Sequence, residues 1–580
     1  MGAAVTWGAE NLTVRFGRRT ALDAVSVEVR PGSVTVVVGG DGSGKTTLLR
    51  AMAGAVRPQG GRVRRPPRRD VGYISGSAGV YDDLTVDENI AFAGAAYGLE
   101  GAERERRAVR LLAQTNIAEA RDRLAGRLSG GMRQKLAFAL AMLHEPKLLI
   151  LDEPTTGVDP VSRSELWRLI AGAAANGAAV LVATTYLDEA ERAAEVLVLD
   201  DGRAVAAGPP EAVAAALPRP HAPAAGRASG TGASVVGAAG ARPSRAGEVP
   251  LAEARAVTRR FGAVVAVEAA DLVVRDGEVV GLLGANGAGK TTVIRMLLGL
   301  LRPTEGSALL FGAPPSRSSR RRIGYVPQGL GLWDDMSAAE NLAFAAAAFG
   351  SSPPPLDAEL AAAQDVLVRD LPLGLKRRLA FASALAHEPE LLVLDEPTSG
   401  VDPRARARLW DTVHEAAAAG AGVLVTTHYL EETSQCDRLV IMAAGRVVAE
   451  GTEAAIVGDR TAVELELAPA EAGGAGRAAG ADWATVFGVL ADAGLPVALH
   501  GRTLRVAGGD VARVRAALDA RHVAAGFRLV PASLEETFVE LSGGDTRRND
   551  VSDTGPAPAE ENTIAGAGER TREPQKGREP

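Results

Sequence analysis

Gly284-Ala285-Asn286-Gly287-Ala288-Gly289-Lys290-Thr291-Thr292 directly follows the apolar run Val279-Val280-Gly281-Leu282-Leu283. An apolar strand, a glycine-rich turn and a helix in this order predict a P-loop. Its backbone N–H groups wrap phosphates, helped by the positive end of the following helix. Lys290 then reaches the β- and γ-phosphates, and the Thr291 hydroxyl ligates Mg²⁺. The pattern stands once more, earlier in the chain, as Gly39-Gly40-Asp41-Gly42-Ser43-Gly44-Lys45-Thr46-Thr47 after Val34-Thr35-Val36-Val37-Val38. Lys45 and Thr46 take the same roles there.

The repeat extends over two halves in register. Phe16-Gly17 recurs as Phe261-Gly262, and Leu148-Leu149-Ile150-Leu151-Asp152-Glu153 recurs as Leu391-Leu392-Val393-Leu394-Asp395-Glu396. The latter read as buried parallel strands ending in two acids, which a strand projects in different directions. Asp152 and Asp395 then serve the Mg²⁺ shell, while Glu153 and Glu396 face an attacking water. Only six of the 64 basic residues are lysine, and two of the six are Lys45 and Lys290. A compact ammonium is placed where the planar fork of Arg does not substitute.

With Leu128-Ser129-Gly130-Gly131-Met132-Arg133-Gln134 ahead of the first acid pair, both halves resemble the ATP-binding cassette (ABC) ATPases. The implied fold class is α/β, two P-loop ABC ATPase domains in tandem. Residues 5–215 form the first, 216–249 a flexible Ala/Gly/Pro linker and 250–456 the second. A small α+β appendage is expected at 457–541 and a disordered tail at 542–580. The resemblance also makes Phe16 and Phe261 candidates for stacking on adenine; the alternative is a core Phe within a strand.

In this family two cassettes pair head to tail, so each ATP lies between one P-loop and the other cassette's signature. The second half has Gln328, the family's Q-loop residue and a contributor to the Mg²⁺ shell, and His428, its switch histidine. The first half shows Gly76 and, read from Thr184-Thr185-Tyr186, Tyr186 at those places. The signatures carry the opposite lesion: Ser129 and Gly131 are intact, whereas the second half reads Leu371-Pro372-Leu373-Gly374. Pairing within one chain gives one complete composite site from Lys290, Thr291, Gln328, Asp395, Glu396, His428, Ser129 and Gly131. The other site is expected to bind ATP but scarcely to hydrolyse it, since losing one charge-stabilising donor costs about 10² to 10³ in rate.

Thr85 with Glu88 and Ser337 with Glu340 have capping-box spacing, so a helix is expected to begin at each. The family's groove for a membrane subunit borders this region; a well-capped surface helix is the plainer reading. His144 and His387, each before Glu-Pro, are expected in the last turn of a helix.

The tandem arrangement, the broken second signature, Gly-Val-Asp-Pro at 157–160 and 400–403, and the ending Pro531–Leu541 look like fused ATP-binding subunits of bacterial ABC-2-type multidrug exporters. That resemblance implies ATP and Mg²⁺ as cofactors and separate ABC-2-type permease subunits as partners. It implies a cytoplasmic location, peripheral on the inner face of the membrane. A ribosome-associated tandem factor and a fused importer ATPase are the rivals, and a non-hydrolysing scaffold is a further alternative.

Composition agrees with this outline. The 580 residues are 46% hydrophobic and 23% charged, enough for several cores. A net charge of −7 is the wrong sign for a general nucleic-acid binder. The single Cys436 forms no internal disulfide and no cysteine cluster. Met1–Glu10 lacks the pattern of a secretory signal. Leu169–Leu187, uncharged but rich in Ala and Gly, is expected to be a helix end, a turn at Asn176-Gly177 and a buried strand rather than a membrane span.

Overall fold

The computed structural model describes residues 6–76, 78–186, 188–216, 249–401, 403–466, 483–501 and 503–543. Nearly all of the expected linker and tail, together with Leu187 and Asp402, lies outside these residues.

Each half is built on a six-stranded sheet. In the first half the order is Val71–Ile74, Leu148–Asp152, Ala179–Thr184, Ser33–Val38, Glu195–Asp200 and Arg203–Gly208. All neighbours are parallel except the last pair, which is antiparallel. The second half repeats the order with Ile323–Val326, Leu391–Asp395, Gly422–Thr427, Val279–Gly284, Arg438–Ala443 and Arg446–Gly451. Parallel strands covered on both faces need continuous apolar runs, and Leu148 to Leu151 and Val279 to Leu283 are buried throughout. A three-stranded antiparallel sheet accompanies each: Trp7–Phe16 lies between Arg19–Val29 and Gly60–Arg64, and Ala252–Phe261 between Val264–Val274 and Glu305–Leu310. The stretch from Leu169 resolves into the end of the helix Pro160–Ala175, a turn with Gly177 at φ 93°, and the buried strand Ala179–Thr184. Among the described residues no helix is long and apolar enough to cross a membrane.

The C-terminal residues form a four-stranded antiparallel sheet, in the order Val497–His500, Thr503–Val506, Thr461–Glu466 and Gly526–Pro531. Helices Trp483–Asp492 and Val511–Ala520 accompany it. Although this appendage follows the second half in sequence, its core is continuous with that of the first. Phe487, Leu490, Val497 and Leu499 join Trp167, Ile170 and Ala171 of the helix Pro160–Ala175 in one buried cluster. The Gly501 N–H donates to the carbonyl of Glu191 at 2.5 Å, and Arg192 pairs with Glu535. The final helix, Leu534–Gly543, packs Leu534 and Phe538 against Leu283, Leu439 and Ile441 of the second half, with Val161 of the first half beside them. The appendage therefore touches both halves.

The halves also meet directly, through equivalent residues. The rings of Tyr186 and Tyr429 lie 5.5 Å apart. Arg163 sits 4.7 Å from the centroid of Tyr186, and Arg406 sits 4.8 Å from that of Tyr429. Each guanidinium also approaches the other half's ring, at 5.9 and 5.3 Å. Arg163 pairs with Asp188 at 3.1 Å, and Arg406 with Glu431 at 3.3 Å. Across the boundary, desolvation and then the charge of Asp188 raise the Glu431 carboxyl above its ordinary range. Guanidiniums buried as deeply as these two persist only when paired.

Candidate functional site

Gly44 and Gly289 cap the P-loop helices Lys45–Ala53 and Lys290–Leu297 with φ of 104° and 99°. Glycine is needed at both, since a Cβ on either would lie 2.7 Å from a carbonyl oxygen, that of Ala21 or Ala266. Gly39 to Thr47 and Gly284 to Thr292 thus form matching loops. Asp41, Gly42, Asn286 and Gly287 stand exposed at their tips, Gly40 and Ala285 are half-buried, and Ser43 and Ala288 are buried beneath. Lys45 donates to the carbonyls of Gly39 and Gly40 at 2.8 and 3.1 Å, and Lys290 to those of Gly284 and Ala285 at 2.8 and 3.2 Å. Both ammonium groups are buried, and burial lowers the pKa of Lys290 against the pull of Glu396, Asp159 and Asp395. Thr47 and Thr292 follow on the first helical turn, half-buried.

In the second half the predicted residues converge. The Thr291 hydroxyl donates to Asp395 at 3.0 Å. Lys290 lies 3.8 Å from Glu396, and Gln328 donates its amide to Glu396 at 3.2 Å. Nδ1 of His428 lies 3.4 Å from Glu396. Burial by itself would raise the Glu396 carboxyl. His428, Lys290 and Gln328 outweigh it and hold that carboxyl below its ordinary value. Glu396 does not belong to the strand. The strand ends at Asp395 and Glu396 turns away with φ 50°, so a left-handed residue, not the strand's alternation, separates the two acids; Asp152 and Glu153 repeat this.

Thr426 is a participant that motif reading missed. Its hydroxyl donates to Asp395 at 2.7 Å and accepts from the Glu396 N–H at 2.8 Å. The strand register pairs Asp395 with Thr426 and Asp152 with Ala183. The difference between those two residues was the available signal. In the first half the Glu153 N–H instead donates to the Ala183 carbonyl, at 2.9 Å.

The same register corrects the position of the missing switch histidine. Leu283 pairs with Thr427 and Val38 with Thr184, which makes Thr184 the counterpart of Thr427 and Thr185 the counterpart of His428. Tyr186 matches Tyr429, and the N–H groups of Tyr186 and Tyr429 donate to Thr184 and Thr427 at 3.0 and 2.9 Å. Tyr186 therefore belongs to the boundary between the halves, and the half-buried Thr185 replaces the imidazole. Gly76 does stand where Gln328 stands, after the matching strands Val71–Ile74 and Ile323–Val326. Among the described residues the first-half cluster is accordingly reduced to Thr46 donating to Asp152 at 3.2 Å, Lys45 paired with Glu153 at 3.3 Å and the Thr156 hydroxyl donating to Glu153 at 3.2 Å. Burial, joined by the charge of Glu153, raises the Asp152 carboxyl against Thr46, Lys45 and Arg50.

Each Thr-Asp pair offers hard oxygen ligands of the kind Mg²⁺ takes alongside waters and substrate phosphates. Among the described residues no group of three or more His, Cys, Asp or Glu could hold a metal unaided. The donor sets Thr46 with Asp152 and Thr291 with Asp395, and the carbonyl oxygen of the Gln328 amide, fit an ion that arrives with nucleotide.

Ser129 caps the helix Gly130–Met142, accepting from the Met132 N–H at 3.3 Å, whereas Pro372 at the matching place offers no side-chain cap. Among the described residues no hydrogen bond or ion pair joins Ser129 or Gly131 to the loop Gly284–Thr292. The first half's influence there comes through Asp159, whose charge acts on Lys290.

Phe16 and Phe261 end their strands with rings 55% and 45% exposed, so neither is a core residue. Both capping boxes form, at the starts of helices Val86–Ala96 and Ala338–Phe349. Beside them lie exposed aromatic pairs, Tyr81 with Phe92 at 4.8 Å and Trp333 with Phe344 at 6.0 Å. His144 and His387 fall just past their helices rather than within the last turn. They bond the strand carbonyls of Val71 and Ile323 at 3.2 and 3.1 Å and stack on Tyr97 and Phe349.

A family model for ABC transporters matches residues 22–156 and 267–399. The "Probable multidrug ABC transporter ATP-binding protein YbhF" of Escherichia coli (strain K12) is 33% identical over 523 residues, covering 75% of this chain and 90% of that one. A "Nod factor export ATP-binding protein I" of Burkholderia lata is 38% identical over 305 residues, 50% of this chain and 96% of that one. Among solved structures, "RNase-L Inhibitor" aligns with a TM-score of 0.59 over 88% of this chain and 98% of its own; at 18% identity this is a likeness of fold alone. The repeated P-loop architecture and the matches along both halves show that the chain belongs to the ATP-binding proteins of ABC transporters, with two ATPase domains in tandem.

Proposed function

We propose that this chain hydrolyses ATP to power export of drugs or other small molecules through separate ABC-2-type membrane permease subunits, with one hydrolytic and one mainly ATP-binding composite site. The observation that carries the asymmetry is the cluster of Gln328, Glu396 and His428, set against Gly76, Glu153 and Thr185 in the first half. The export direction is supported by the names of the relatives, a multidrug and a Nod factor export protein. Residues 5–215 and 250–456 act as the two ATPase domains, and 457–541 as the appendage.

Glu396, held ionised by its neighbours, accepts a proton from the water as that water attacks the γ-phosphorus; the bond to the β-phosphate oxygen breaks, leaving ADP and phosphate. Gln328 and His428 orient the carboxylate, and Lys290 with the loop N–H groups binds the phosphates. Ser129 and Gly131 complete this site from the other half when the halves close. Phe261, and Phe16 in the other site, stack on adenine. Thr291, Asp395 and Gln328, like Thr46 and Asp152, would hold Mg²⁺, which supplies neutralisation of phosphate charge.

The exposed aromatic pairs Tyr81 with Phe92 and Trp333 with Phe344 present apolar, amphipathic surface suited to the permease. Co-purification with an ABC-2-type permease, then substrate-stimulated ATPase in proteoliposomes, tests the reading. Sedimentation with ribosomes and indifference to the permease would overturn it.

A further inference from the structure

Arg377 lies in the helix Leu373–Leu385 and is 6% exposed. Its Nη1 donates to the carbonyl oxygens of Glu396 at 2.9 Å and Pro397 at 2.6 Å, and its Nη2 donates to that of Ser399. Among the described residues it forms no ion pair, so a permanently charged group is aimed wholly at three carbonyls of one turn. Burying a guanidinium without a counter-ion is costly. The first half does otherwise: the shared Leu136-Ala137-Phe138 and Leu379-Ala380-Phe381 align Gln134 with Arg377. Among the described residues Gln134 donates to none of the corresponding carbonyls, and its Oε1 is buried without a partner.

The turn that Arg377 grips begins at Glu396, whose φ of 50° is a conformation a non-glycine residue holds only when its surroundings impose it. Glu153 adopts the same φ where glutamine replaces the arginine, so the grip bears on how firmly the turn is held and not on whether it forms.

We propose that Arg377 is a positioning residue for ATP hydrolysis: its fork fixes the turn Glu396-Pro397-Thr398-Ser399 and so keeps the Glu396 carboxylate aimed at the attacking water. A glutamine, with one NH₂ group, cannot span three carbonyls. The inference rests on the reading of Glu396 as the general base.

The test compares the full chain with Arg377→Gln, Arg377→Lys, Glu396→Gln and the double variant Arg377→Gln/Glu396→Gln, by ATPase kinetics and by binding of a fluorescent ATP analogue. Arg377→Gln is expected to lower kcat by about 10- to 100-fold, with KM and analogue affinity unchanged. Arg377→Lys should recover part of kcat. In the Glu396→Gln background, Arg377→Gln should cost nothing more. Should Arg377→Gln fail to fold, Arg377→Lys carries the test, with kcat reduced and KM held. An unchanged kcat, a matching rise in KM, or a further loss in the Glu396→Gln background overturns the positioning role. Full turnover by Glu396→Gln alone would instead overturn the base assignment beneath it.

Discussion

Glu396 and His428 stand 3.4 Å apart in the second half, and the first half has Thr185 where that imidazole would be. The two acid pairs are nearly identical in sequence, so the difference in chemistry lies in what surrounds each glutamate. Glu396→Gln should lower steady-state phosphate release by about 10² to 10³, while Glu153→Gln should change it less than threefold. Equal losses from the two single variants would refute the asymmetric model.

His428→Ala should move the acid limb of the kcat–pH profile upward. Burial raises the Glu396 carboxyl, and His428 is the foremost of the groups that keep it low. Without the imidazole the burial effect gains ground, and the base takes up its proton at higher pH. A profile that falls in height without shifting would show that His428 acts on something other than Glu396.

Glu431 should make the folded chain less stable as pH rises. Burial and the neighbouring Asp188 push its carboxyl from 4.5 up to about 8, against Arg406 and Arg163. Between those values the unfolded chain releases the proton that the folded chain keeps, so stability falls with rising pH through that window. Glu431→Gln keeps a neutral donor beside Asp188 and should remove this contribution. Thermal midpoints of both proteins from pH 5 to 9 should show the wild type losing ground relative to the variant toward the alkaline end.

Phe487→Ala should loosen the appendage. The ring is 4% exposed in the cluster shared with Trp167 and Ile170, and truncating a buried Phe costs about 3–5 kcal/mol. Hydrogen exchange across 483–501 should accelerate in parallel with exchange in the helix Pro160–Ala175. Acceleration confined to the appendage would mean that the two do not share a core.

Much of the site was legible because its motifs are contiguous: a P-loop needs its glycines, lysine and threonine side by side, and the acid pairs end unmistakable apolar strands. The residue standing in for His428 is misplaced by matching Thr184-Thr185-Tyr186 to Thr426-Thr427-His428 as strings; the Tyr-Leu that follows in each half, Tyr186-Leu187 and Tyr429-Leu430, already sets the one-residue offset that strand pairing shows. Thr426 and Arg377 were hidden because each acts on the backbone or carboxylate of a residue distant in sequence. The docking of the appendage on the first half leaves no local trace; an apolar face on Trp483–Asp492 does not name the surface that covers it.

Because the appendage belongs in sequence to the second half and in packing to the first, the halves are tethered twice, once by the chain and once by the shared core around Trp167 and Phe487. Their encounter is unimolecular, with an effective concentration fixed by the tethers rather than by the amount of protein present. Specific ATPase activity should therefore hold constant on dilution, where a pair of separate subunits would lose it.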